Sequence, residues 1–184
     1  ILWIGVNSII YREQIYQFRR NGLHHEQTHY SKKSPQLKYV KLDQRSTYLV
    51  DNLIEKLATL DFDFRNDRIF SYSNLPGLVA STGAKSYGEV WNQETSNRFR
   101  ELKNIEKKIC AYVELEEKVE GRKVFLLLRD NLPKSLSKCL GEKINLTQSS
   151  NEIVVGEIKE IPMVYNDFTQ KITQIRLLGP FYLK

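Results

Sequence analysis

An α+β fold is predicted for this chain: an N-terminal β-α-β-α unit, then a mostly antiparallel sheet with one or two further helices. Three observations predict it. Leu49, Val50, Leu53, Ile54, Leu57 and Leu60 recur at the spacing of a helix with one apolar face. The apolar run 124–128 has the length of a buried strand and is bracketed by Lys123 and Arg129. Finally, 184 residues with 41% apolar and 27% charged side chains have the size and composition of a folded unit with its own core. One domain over 1–184 is expected, with 61–90 as the place where it would subdivide.

The elements follow in order. Residues 1–6 read as a short buried strand, and Asn7 or Ser8 is placed to cap a helix over 9–20 that Gly22 would end. A polar segment, 23–35, leads to a second strand over 37–42. Ser46 then caps the leucine-rich helix. Beyond Asp61 the alternation lapses: 68–73 reads as a strand, and 74–88, rich in Ser, Gly and Pro, as a loop. Thr95 is placed to cap a third helix with Phe99, Leu102, Ile105 and Ile109 on one face. Residues 111–118 alternate apolar and acidic, as a half-exposed strand does, and Glu120-Gly121 turns the chain into a buried partner over 123–129. A short helix over 133–140, ended by Gly141, precedes strands over 143–147, 152–161 and 171–178.

Charge carries the first functional content. The chain has 28 Lys and Arg against 22 Asp and Glu, a net charge of +6. Residues 1–50 hold eight of the basic groups and only three acidic ones, so the excess is concentrated at the start. Tyr11, Tyr16 and Phe18 are interleaved there with Arg12, Arg19 and Arg20. Tyr30 with Lys32 and Lys33, and Tyr39 with Lys38 and Lys41, repeat the mixture nearby. Cations bind phosphates and ring faces stack on bases, so this interleaving suits RNA or single-stranded DNA. The expected binding residues are Tyr11, Arg12, Tyr16, Arg19, Arg20, Lys32, Lys33, Lys38 and Lys41. The competing account makes Tyr11, Ile15 and Phe18 a core stripe and the arginines its solvated edge. The expected partners are nucleic acid and other protein subunits of a larger assembly.

Two strings carry catalytic alternatives. His25-Glu26-Gln27-Thr28-His29 satisfies H-E-x-x-H, in which two imidazoles four apart on a helix hold Zn²⁺ and the glutamate acts as general base. These five residues resemble the motif of zinc peptidases. That resemblance implies a zinc hydrolase with His25 and His29 as ligands and Glu26 as base, and Asp51 or Glu55 as the best placed third ligand. The polar flanks offer no apolar stripe to bury such a helix, so a solvated loop without metal is expected instead. Glu157 and Lys159 form an E-x-K on one strand face, which with Asp130 resembles the Mg²⁺-holding triad of PD-(D/E)xK nucleases in spacing alone. The expectation is that Asp130 lies too far from Glu157 to share a cation. Gly83-Ala84-Lys85-Ser86 only echoes a phosphate-binding loop and reads as surface.

The remaining expectations are negative. No apolar run approaches the roughly 20 residues that span a bilayer, and 1–6 is too short for a secretion signal. Cys110 and Cys139 belong to no C-x-x-C pair and read as small buried hydrophobes, so an intracellular compartment is expected. Starting at Ile1 rather than Met, the chain is expected to be a processed product or a piece of a longer one.

Overall fold

A computed structural model describes residues 27–72, 75–88, 99–115, 119–129, 131–146, 151–160 and 171–184. The chain is α+β, with a five-stranded sheet at its centre. Strand β5 (Lys123–Leu128) explains the arrangement. Its apolar run is buried throughout, which a strand requires only when both sheet faces are covered. Period-two alternation sends Phe125 and Leu127 to one face and Val124, Leu126 and Leu128 to the other. On the first face they meet Leu49, Leu53 and Leu57 of helix α1 (Gln44–Thr59) and Val79 of helix α2 (Pro76–Thr82). On the second they meet Ile109 and Val113 of helix α3 (Phe99–Leu115) and Leu136 and Leu140 of helix α4 (Lys134–Lys143). Two helical layers therefore enclose one sheet.

The other strands are β1 (His29–Tyr30), β2 (Lys41–Leu42), β3 (Arg68–Tyr72), β4 (Lys85–Ser86), β6 (Asn151–Glu160) and β7 (Lys171–Tyr182). In the main sheet the order is β4-β3-β5-β7-β6. β4 and β5 run parallel to β3, whereas the pairings of β7 with β5 and β6 are antiparallel. Buried Asp67 ties the two central parallel strands together at their starts. Its carboxylate accepts the backbone N–H of Lys123 at 3.0 Å and that of Asp63 at 2.9 Å. The pair β1 and β2 forms its own small antiparallel sheet.

Several elements differ from the sequence expectation. The strand over 37–42 shrinks to Lys41–Leu42, because 36–39 turn instead. Residues 111–115 continue α3 rather than forming a hairpin strand. Ile109 and Val113, four apart, share the buried face there, while Ala111, Tyr112 and Glu114 are exposed. Glu120-Gly121 does turn the chain into β5, with Gly121 at φ 76°. Within 74–88, Pro76 opens α2 and left-handed Gly83 (φ 75°) closes it, so residues read as loop punctuation are helix start and stop. Gly141 lies inside α4, which runs on to Lys143, and Ile144 makes only an isolated bridge to Leu183. The capping residue of α1 is Asp43, not Ser46: its carboxylate accepts the Ser46 N–H at 2.9 Å and the Ser46 hydroxyl at 2.6 Å. Cys110 and Cys139 are joined in a disulfide between α3 and α4, so neither is the free buried thiol expected. The strand over 1–6, the helix over 9–20 and Thr95 lie outside the described residues.

Among the described residues β6 is an edge strand, and α1 lies along it. The Asn52 amide donates to the Val155 carbonyl and the Arg45 guanidinium to that of Glu157, filling acceptors that the sheet leaves unpaired. Between them the register shifts at Val154/Gly156, and the backbone of Gly156 runs directly under α1. A Cβ at Gly156 would stand 2.3 Å from Leu49 Cδ2. Leu49 is itself buried, so relief requires repacking. Gly156→Val is expected to cost about 1–3 kcal/mol, read as a lower denaturation midpoint with an unchanged slope. An unshifted midpoint would show that α1 does not press on the bulge.

Candidate nucleic-acid interface

A sheet of two dipeptides is not stable by itself, so the β1–β2 hairpin depends on what holds it. Asp51 of α1 is that anchor. Its carboxylate accepts the Ser31 hydroxyl at 2.5 Å and the backbone N–H groups of Lys32 and Lys33 at 3.1 and 3.2 Å. The Ser31 hydroxyl in turn accepts the Ser34 N–H at 2.9 Å. Buried Ser34 donates its own hydroxyl to the Ser81 carbonyl of α2 and accepts the Leu37 N–H. The segment is thus clamped between α1 and α2 through satisfied polar groups.

The clamped segment presents rings and cations together. Tyr39 is 85% exposed at the tip, Tyr48 on the neighbouring face of α1 is 62% exposed and Tyr30 47%. Lys38 Nζ lies 5.4 Å from the centroid of the Tyr39 ring, and Lys41 Nζ, across the strand pair, 5.9 Å from that of Tyr30. Lys32 is exposed on the same loop. Lys33 is differently placed: its ammonium pairs with Glu55 at 2.5 Å, and that ammonium holds the Glu55 carboxyl below its ordinary range. Both partners are solvated, so the pair adds little stability, but it diverts Lys33 toward α1. Tyr11, Arg12, Tyr16, Arg19 and Arg20 lie outside the described residues.

Beside the rings runs an open groove. One hollow of about 550 Å³ is lined by His29, Asp43, Gln44, Arg45 and Tyr48. A second of about 540 Å³ shares Arg45 and Tyr48 and continues over Asn52 and the bulge at Val154–Glu157. The sequence reading passed over Tyr48, Arg45 and Asn52, and considered Asp51 only as a metal ligand. Tyr48 carried a signal, as a large ring beside rather than on the leucine stripe. The others act through contacts distant in sequence and carried none.

The catalytic alternatives fare differently from their motifs. H-E-x-x-H chemistry needs one continuous helix, yet Gln27 and Thr28 are non-helical and His29 begins β1, bonded through Nδ1 to the Thr28 hydroxyl at 3.1 Å. His25 and Glu26 lie outside the described residues. The third ligands considered, Asp51 and Glu55, are engaged by the hairpin and by Lys33. Among the described residues no three His, Cys, Asp or Glu side chains come together as a metal site. Glu157 is exposed on β6, with the Gln174 amide 3.5 Å from its carboxylate, and β7 stands between β6 and β5. Asp130 lies outside the described residues, as does the side chain of Lys159. Gly83 closes α2 and Lys85-Ser86 forms β4, so the echo of a phosphate loop is structural.

The anchor predicts a pH dependence. Partial burial pushes the Asp51 carboxyl up, but the hydrogen bonds from Ser31, Lys32 and Lys33 and the Lys33 charge outweigh it and hold it below its ordinary 3.8. A depressed folded value means that the contribution is fully present above 3.8 and disappears as pH falls below it through the folded value. Thermal melts from pH 7 to pH 2 should show this loss in the parent chain, and Asp51→Asn should flatten that limb while lowering stability at pH 7. An identical acid limb in the variant would remove Asp51 as the anchor. Compared with profiles of known families, with curated proteins and with solved structures, the chain finds no match.

Proposed function

We propose that the chain binds single-stranded RNA or DNA across the β1–β2 hairpin and the start of α1. The observation that carries this reading is the clustering of exposed Tyr30, Tyr39 and Tyr48 with Lys38 and Lys41 on a segment clamped by Asp51. Stacking on rings tolerates any base, and lysines beside the rings follow the phosphates, so the surface suits a strand whose bases are unpaired. The clamp lowers the ordering cost of binding because the loop is already fixed. Lys32 extends the cationic side, while Lys33 contributes only after leaving Glu55. The arginines of the first twenty residues, Arg12, Arg19 and Arg20, and the rings of Tyr11 and Tyr16 enlarge the same basic region of sequence.

A second reading makes the surface a protein contact of an assembly subunit. Exposed Val154 beside Tyr48 in the groove favours it, since tyrosines with apolar neighbours suit interfaces.

Fluorescence anisotropy with a labelled 15-nucleotide single strand separates the two. Binding should weaken steeply between 50 and 200 mM salt, as counterion release requires. Tyr39→Ala should weaken it by about 5- to 100-fold, the worth of one stacked base. Lys38→Glu with Lys41→Glu should weaken it further and flatten the salt slope. Absence of binding at low salt would sink the reading. So would equal displacement by heparin and by unlabelled strand with no effect of Tyr39→Ala, which leaves charge without stacking.

A further inference from the structure

The two cysteines carry an inference independent of the binding surface. They are the only two in the chain, they stand 29 residues apart on different helices, and the fold brings their Cα atoms to 5.8 Å, inside the range that a disulfide spans. Both border the second core, packed against the cluster that holds Ile109, Val113, Leu136 and Leu140. The chain between them contains β5, so the link closes a loop around the strand on which both cores rest. A domain of this size buries enough surface to fold without a covalent staple, so the presence of one reflects where the chain is made more than what its core lacks.

We infer that Cys110–Cys139 is a redox-dependent staple of α3 to α4, formed because this chain matures in an oxidising compartment rather than a reducing one. The sequence expectation of an intracellular compartment rested on the short apolar start of the chain and on two reduced thiols, and their pairing removes the second ground. The reaction is a two-electron exchange. The two thiols lose two protons and two electrons as the S–S bond forms, and the disulfide of a thiol–disulfide oxidoreductase takes them up to become two thiols. With only two cysteines present, no alternative intrachain pairing competes. Reduction removes the covalent tie and leaves α4 against α3 through the packing of Leu136 and Leu140 with Ile109 and Val113.

Two measurements decide it. In the cells that make the chain, acid quenching followed by maleimide under denaturing conditions should label neither cysteine until a reductant is added. Labelling of both without reductant would overturn the compartment. On the purified chain, a phosphine reductant should lower the melting temperature by about 5–10 °C, as expected for closing a loop of this length in a domain of this size. The double variant Cys110→Ser/Cys139→Ser should melt at the lower temperature and ignore the reductant. A parent chain whose melting is unchanged by reduction would overturn the staple.

Discussion

Burial of β5 from both sides is the constraint from which the rest of this structure follows. A strand with five consecutive apolar side chains projects them alternately up and down, so neither face of the sheet around it can be left to water. Each face therefore needs helices, and the described residues supply two to each: α1 and α2 above, α3 and α4 below. β3 and β7 flank β5 because their own buried residues alternate in the same register. Even the polar fastening at Asp67 serves this strand, by fixing where it begins beside β3.

The candidate surface depends on this frame at one remove. α1 is held down by Leu49, Leu53 and Leu57, and its remaining faces then provide Asp51 for the hairpin, Arg45 and Asn52 for β6, and Tyr48 for the groove. One helix thus supports three features that the sequence spreads over more than a hundred residues. The hairpin adds no apolar core of its own, and its order derives from hydrogen bonds to Asp51 and Ser81.

What could be read in the sequence was whatever depends on short-range pattern. The leucine spacing of α1, the apolar run of β5 and the long alternation of β6 and β7 declare themselves locally, and those elements form near where the pattern places them. Residues 111–115 were misread because five residues satisfy a period of two and a period of 3.6 almost equally, and only burial of Ile109 with Val113 decides between them. α2 was missed because Pro76 and Gly83 mark helix ends as well as loops. The joining of Cys110 to Cys139 depends on two helices meeting, which no spacing in one sequence reveals. The hairpin cations were visible as composition, but that Lys33 turns to Glu55 while Lys38 and Lys41 lie over rings required coordinates.

The side chains of α1 that reach β6 do more than fill two acceptors. An edge strand of ten residues is a template on which another extended chain could form a ladder and grow an aggregate. Arg45 and Asn52 occupy alternate carbonyls near the middle of that template, and the bulge at Val154/Gly156 bends it at the same place. The opposite edge among the described strands, β4, is two residues long. At one margin of the sheet the template is too short, and at the other it is interrupted at its centre. Resistance to strand-by-strand aggregation is thus built in by the same contacts that seat the first helix.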